Sequence, residues 1–212
     1  MPCRVPVVFL IFCRPDLTAR VFDLIRQAQP EQLYVVADGP RTESETELCK
    51  RAREVTEVID WPCIVHRNYS EVNLGCRKRV FSGLSWVFHQ VEEAIVLEDD
   101  CLPHLDFFRF CSDLLEYYRH EKRIFSICGS NFQDGVQRGD SSVYFSAYAD
   151  PWGWATWRRA WRRYTENLES WPDFRDAKGL SQILNNAVEV DYWNKIFNDL
   201  YYQGVPDSWF YG

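Results

Sequence analysis

Residues 93–100 read Glu93-Ala94-Ile95-Val96-Leu97-Glu98-Asp99-Asp100. Four apolar residues in succession run straight into three carboxylates. An apolar run without polar alternation is how a strand covered on both faces reads. Three adjacent anions repel one another and raise each other's pKa, a cost that a divalent cation relieves. The alternative, a solvated acidic turn, suits a surface helix better than the end of a buried strand.

Three more runs of the same kind precede this one: Val5 to Cys13 (VPVVFLIFC), Gln32 to Asp38 (QLYVVAD) and Pro62 to His66 (PCIVH). The segments between them have helical spacing. Asp16 to Ala28 places Leu17, Val21, Leu24, Ile25 and Ala28 on one face; Ser44 to Val58 is charged and amphipathic; Cys76 to Gln90 groups Val80, Leu84, Val87 and Phe88. Strand and helix in alternation predict an α/β fold with a mostly parallel sheet. Further on, Asp106 to His120 reads as a helix, Arg123 to Gly129 and Val143 to Ala147 as strands, and Ser181 to Tyr202 as helical. With no linker and no internal repeat, residues 1–212 are expected to form one domain.

The chain has 212 residues, 46% hydrophobic and 16% aromatic, which argues against disorder. A net charge of −7 argues against a nucleic-acid partner and makes an anionic membrane surface a poor one. No stretch approaches the ~20 apolar residues of a membrane span. The eight cysteines lie without CxxC pairs, several of them in apolar runs, and read as buried thiols. A zinc set from Cys101, His104 and Cys111 matches no common spacing. The first residues carry no signal-peptide pattern, so the expectation is a reduced, cytoplasmic protein, with peripheral contact at the inner face of a membrane left open.

In open α/β sheets, ligands bind beyond the carboxyl ends of the strands. Those ends here carry Cys13-Arg14-Pro15-Asp16, Asp38-Gly39-Pro40-Arg41 and Glu98-Asp99-Asp100. No phosphate loop and no GxGxxG fingerprint is present. Hard oxygen donors such as Asp100 suit Mg2+ or Mn2+. Asn73-Leu74-Gly75-Cys76-Arg77-Lys78-Arg79 precedes a helix, and its amides with Arg77 or Lys78 offer an anion site. Asp150 to Trp161 holds four tryptophans within ten residues. At least half of these rings are expected in the core, and one or two in a ligand cleft.

Taken together, five stretches resemble metal-dependent glycosyltransferases of the GT-A (Rossmann-like) fold, in particular bacterial proteins related to N-acetylglucosaminyltransferase I. They are PVVFLIFCRPD (Pro6 to Asp16), VVADGPR (Val35 to Arg41), NLGCRKRVFSGLSWVF (Asn73 to Phe88), VLEDDCLPHLDFFRFC (Val96 to Cys111) and DPWGWATWRRAW (Asp150 to Trp161). The resemblance implies a nucleotide-binding half, 1–100, and a donor-sugar and acceptor half, 101–212. Asp100 would hold a divalent metal, Mn2+ or Mg2+, with Glu98 and Asp99 facing the ribose and donor sugar. Arg14 and Asp38 would lie around the base, Arg77 or Lys78 near the phosphates, and Trp152 and Trp154 on the sugar side. Asp207, with Asp191 as its rival, would be the base of an inverting transfer. The substrates would be a nucleoside-diphosphate sugar and a glycan or lipid-linked acceptor, in polysaccharide building. Relatives of this kind tend to continue beyond the final Trp209-Phe210-Tyr211-Gly212, so the acceptor half is expected to be cut short. Two other readings stay open: a sugar-phosphate nucleotidyltransferase, and a non-catalytic nucleotide- or carbohydrate-binding domain of the same fold.

Overall fold

The computed structural model describes residues 3–137 and 139–210; Tyr211 and Gly212, part of the expected C-terminal break, lie outside the described residues. The acidic run of residues 93–100 forms strand β4 (Glu93–Glu98). The earlier runs form β1 (Val7–Ile11), β2 (Gln32–Ala37) and β3 (Ile64–Tyr69). Helices α1 (Pro15–Ala28), α2 (Thr46–Val55) and α3 (Cys76–Phe88) connect them. Then come α4 (Asp106–Tyr117), β5 (Ser126–Cys128), β6 (Trp154–Trp157), α5 (Arg158–Trp161), α6 (Trp171–Asp176), α7 (Gly179–Ile183) and α8 (Ala187–Gln203).

The sheet order is β3-β2-β1-β4-β6-β5. The first four strands are parallel; β6 runs antiparallel to both β4 and β5. This is the expected α/β architecture with a mostly parallel sheet flanked by helices. The expected strand at Val143 to Ala147 is absent: those residues lie in irregular chain, and the pairing partner of β4 is the tryptophan-rich Trp154–Trp157 instead. The cause is packing. Ala155 and Thr156 are small enough to lie flat between β4 and β5, while Trp154 and Trp157 fill opposite faces.

Alternate residues of each central strand point to opposite sides. Val7, Phe9, Ile11, Leu33, Val35, Ile95 and Leu97 meet α1 and α4 through Val21, Phe22, Ile25, Phe108 and Leu115. Val8, Leu10, Val36, Ala94 and Val96 meet α3, Trp161 and Trp209 on the other side. Each buried Val, Leu, Ile or Phe side chain contributes roughly 1.5–3 kcal/mol by leaving water. Gly83 brings α3 close to the sheet, since a Cβ there would come within 2.4 Å of Val36 Cγ1. Among the described residues no helix is long and apolar enough to cross a membrane, and all eight cysteines are free thiols.

Candidate functional site

The chain leaves β1 toward β2 on one side and returns through β4 on the other. The gap between the carboxyl ends of β1 and β4 is therefore the topological switch point of the sheet, where diverging connections leave a crevice. What fills its rim is Arg14. Its guanidinium spans Asp99 and Asp100, donating through Nη2 to Asp99 Oδ1 and through Nη1 to Asp100 Oδ2 at 2.8 Å. The Phe12 N–H also donates to Asp99 Oδ2 at 3.3 Å. Pro15 opens α1 directly behind Arg14, and the Thr18 N–H and hydroxyl both return to the Arg14 carbonyl, which pins the residue.

The three carboxylates have three different settings. Asp99 is 2% exposed and faces inward; burial pushes its carboxyl up, against the pull of Arg14. Asp100 is half-exposed and borders a wide cleft. Glu98 is pushed up to about 7, by burial first and then by the Asp100 charge, while a hydrogen bond with Trp209 pulls it down. Among the described residues no three His, Cys, Asp or Glu side chains gather around one metal position. Cys101 and Cys111 are buried while His104 is exposed and pairs with Asp106, so these three make no zinc set. The donor chemistry still fits a hard cation. Mg2+ binds through one or two carboxylates and takes its other oxygens from water and phosphates; Asp100 is the half-exposed carboxylate of the three, with Arg14 bonded to it.

The glycine loop before α3 differs from the expected open anion site, because the protein's own carboxylates occupy its amides. Asp38 accepts the Leu74 N–H at 3.0 Å, the Gly75 N–H at 3.1 Å and the Asn73 Nδ2 at 3.1 Å. Asp207 accepts the Cys76 N–H at 3.0 Å and the Arg77 N–H at 3.1 Å. The helix lacks a capping side chain at its own Gly75, and a residue some 130 positions later supplies one. Gly75, at φ +81°, permits this approach: a Cβ would lie 2.8 Å from Asp207 Oδ2. The Arg77 guanidinium donates to the Glu166 carbonyl at 3.0 Å, tying the loop after α5 to α3, and Lys78 lies exposed on α3.

Of the four clustered tryptophans, Trp154, Trp157 and Trp161 are buried, and Trp152 is 59% exposed in the cleft. Trp154 stacks on Trp209 at 5.3 Å, so the C-terminal segment closes over β6 and reaches Glu98. The Trp154 Nε1 finds no acceptor among the described residues. Asp191 is exposed on α8.

Neither a family model nor a curated protein matches this chain. Solved structures do. A 4-diphosphocytidyl-2C-methyl-D-erythritol synthase from Anaerococcus prevotii has a TM-score of 0.44 at 10% identity, over 76% of each chain. A cytidylyltransferase from Leptospira borgpetersenii has a TM-score of 0.45 at 13% identity, over 76% of this chain and 63% of that one. The similarity is one of fold.

Two residues of the site escape a reading along the chain. Trp209 looks like one more aromatic, yet it is 7% exposed and joins Glu98 to Trp154. Arg79 looks like a third cation of a basic cluster, yet it is buried, donating to the Ala37 carbonyl at 3.1 Å and to Asn68 Oδ1 at 2.8 Å. Its helical offset from the apolar Val80 and Phe81 carries no hint of that direction.

Proposed function

We propose that this protein is a metal-dependent glycosyltransferase that moves a sugar from a nucleoside-diphosphate sugar to an acceptor hydroxyl with inversion, as bacterial relatives of N-acetylglucosaminyltransferase I would. The observation that supports it is the Arg14, Asp99 and Asp100 cluster at the switch point between β1 and β4, opening onto a cleft bordered by Trp152.

The nucleoside would lie over the ends of β1 and β2, where Asp38 shapes the wall by holding residues 73–75 rather than by reaching the base itself. Arg14 would face the diphosphate, since its charge sits at the rim of β4. Asp100 and Glu98 would hold Mg2+ or Mn2+. Such a cation supplies charge neutralisation for the departing diphosphate. Asp99 orients Arg14 from below. Asp207 would take the proton of the acceptor hydroxyl: its two backbone contacts leave lone pairs free on a carboxylate that offers about four. Asp191 on α8 is the rival base.

A sugar-phosphate nucleotidyltransferase normally carries a glycine-rich, basic loop after the first strand. Here β1 ends at Ile11 and α1 begins at Pro15, leaving only Phe12, Cys13 and Arg14 between them. That short connection favours glycosyl transfer.

Calorimetry with UDP, GDP and CMP, with and without Mn2+, tests the reading. Binding is expected to need the metal and to weaken by about tenfold or more in Asp100→Ala. Asp207→Asn is expected to retain binding and lose turnover of the nucleotide-sugar. Release of pyrophosphate from a nucleoside triphosphate and a sugar phosphate would establish the nucleotidyltransferase instead. Nucleotide binding indifferent to metal, without turnover, would establish a non-catalytic domain.

A further inference from the structure

A smaller cavity, of about 260 Å3, lies among helices α6, α7 and α8, lined by Arg175, Lys178, Leu180, Ser181, Asn194 and Asn198. Its size falls just under the about 300–1,000 Å3 of ordinary small-ligand pockets, so it suits one compact group and not a nucleotide-sugar. Every polar side chain on its wall carries N–H or O–H donors. No carboxylate lines it, although α6 and α8 carry Asp173, Asp176, Asp191 and Asp199. In a chain of net charge −7, such a wall is an exception.

The donors differ in how far the protein already uses them. Arg175 is largely spent: it pairs with Asp176 at 2.9 Å and donates through Nη1 to Asn198 Oδ1 at 3.3 Å and to the Tyr202 hydroxyl at 3.1 Å. Trp171 Nε1 donates to the same Asn198 oxygen at 3.0 Å. Both bonds fall on the oxygen of that amide, so its Nδ2 stays without an acceptor among the described residues. The Lys178 ammonium, the Ser181 hydroxyl and the Asn194 amide likewise have no partner among the described residues. Asp199 is held by Lys195, and Asp173 and Asp191 are exposed and outside the lining, which leaves Lys178 as the uncompensated charge of the wall.

Lys178 is exposed, yet its backbone is pinned. It stands in the left-handed region at φ +55°, uncommon for a residue with a side chain. Its N–H donates to the Arg175 carbonyl at 2.8 Å, and its carbonyl accepts the Ser181 N–H at 3.1 Å. The next residue, Gly179, packs so closely that a Cβ would lie 2.3 Å from Phe174 Cε2. A fixed base therefore carries a cation beside three neutral donors from α7 and α8. A phosphate monoester brings about −1.5 to −2 charges and three acceptor oxygens. Donors arriving from separate elements suit that tetrahedral group better than the two coplanar oxygens of a carboxylate, and charge-assisted bonds are the strong ones.

We propose that this cavity binds a phosphate group, free or carried by a small molecule. The proposal stands apart from the glycosyltransferase reading and from the acidic end of β4. Amide NMR titrations on the whole protein, with EDTA present and ionic strength held by chloride, test it. The probes are inorganic phosphate, glycerol 3-phosphate and glucose 6-phosphate, with acetate as the carboxylate. At least one phosphate probe is expected to shift the amides of residues 178–181 and 194–198 saturably. Saturation by the esters alone would make the ligand a phosphorylated metabolite, and saturation by inorganic phosphate with equal affinity would make it the free ion; either supports the site. Lys178→Gly is expected to weaken binding about tenfold through the lost charge. Glycine is at home at this φ, so the variant should fold as the parent does. Asn194→Ala should weaken it by about threefold. Absence of saturable shifts, equal response to acetate, or affinity untouched by both substitutions would each overturn the proposal. UDP with Mn2+ is read at residues 12–14 and 98–101 instead, so either site can fail without the other.

Discussion

Strand β1 and helix α8 are held by different physics. All five residues of β1 are buried, and they touch helices on both sides of the sheet. Of the 17 residues of α8, only Leu200 is buried. That helix is held by directional contacts: Trp171 Nε1 donates to Asn198 Oδ1 at 3.0 Å, Arg175 reaches Tyr202, and Trp193 stacks on Tyr148. The strand ends that carry Arg14 and Glu98 to Asp100 therefore stand on a foundation with no room to shift, whereas α8 hangs on a few anchors. An arrangement of this kind keeps the charged rim in one geometry and leaves α8 freer to move.

The contrast can be broken in descending order of effect. Leu97→Ala in β4, where the side chain is fully buried, should cost about 2–5 kcal/mol in denaturant unfolding. Val188→Ala at the start of α8, where the side chain is 75% exposed, should stay within about 0.5 kcal/mol. Equal losses at the two sites would show that α8 belongs to the same packed unit as the sheet. Between these extremes, Asp207→Ala should cost about 0.5–2 kcal/mol through the lost cap of α3. Asp207→Asn should recover most of that while leaving no carboxylate. Hydrogen exchange should locate the loss in the first turn of α3 and not in β1 or β2.

The same rim also carries a pH dependence. Glu98 is pushed up from 4.5 to about 7 in the folded state, by burial first and then by Asp100. Between those two pH values the folded state holds a proton that the unfolded chain has released, so stability falls as pH rises through the window. Melting temperatures measured across it should show wild type losing ground relative to Glu98→Gln. Parallel curves for the two proteins would mean that Glu98 is ionised throughout.

Much of the sheet was legible because a run such as Val7 to Ile11 has no solvent-facing position to compromise its pattern. Val143 to Ala147 misled for the complementary reason. Short apolar alternation signals a strand only where a neighbouring strand has an open edge, and the edge of β4 is taken by Trp154–Trp157. The pairing of Arg14 with Asp99 and Asp100 across the switch point, and of Arg77 with the Glu166 carbonyl, left no mark in the sequence pattern.

The sequence by itself determined the alternation of buried strands and amphipathic helices and the acidic end of β4. These are properties of local pattern, and burial enforces them wherever the segment ends up. Only the tertiary structure decided that Asp207 caps α3, that Trp209 reaches Glu98 and that Arg14 bridges Asp99 and Asp100. Each joins residues some 85 to 131 positions apart, and a single side chain's hydrogen-bond partner leaves no periodic trace along the chain.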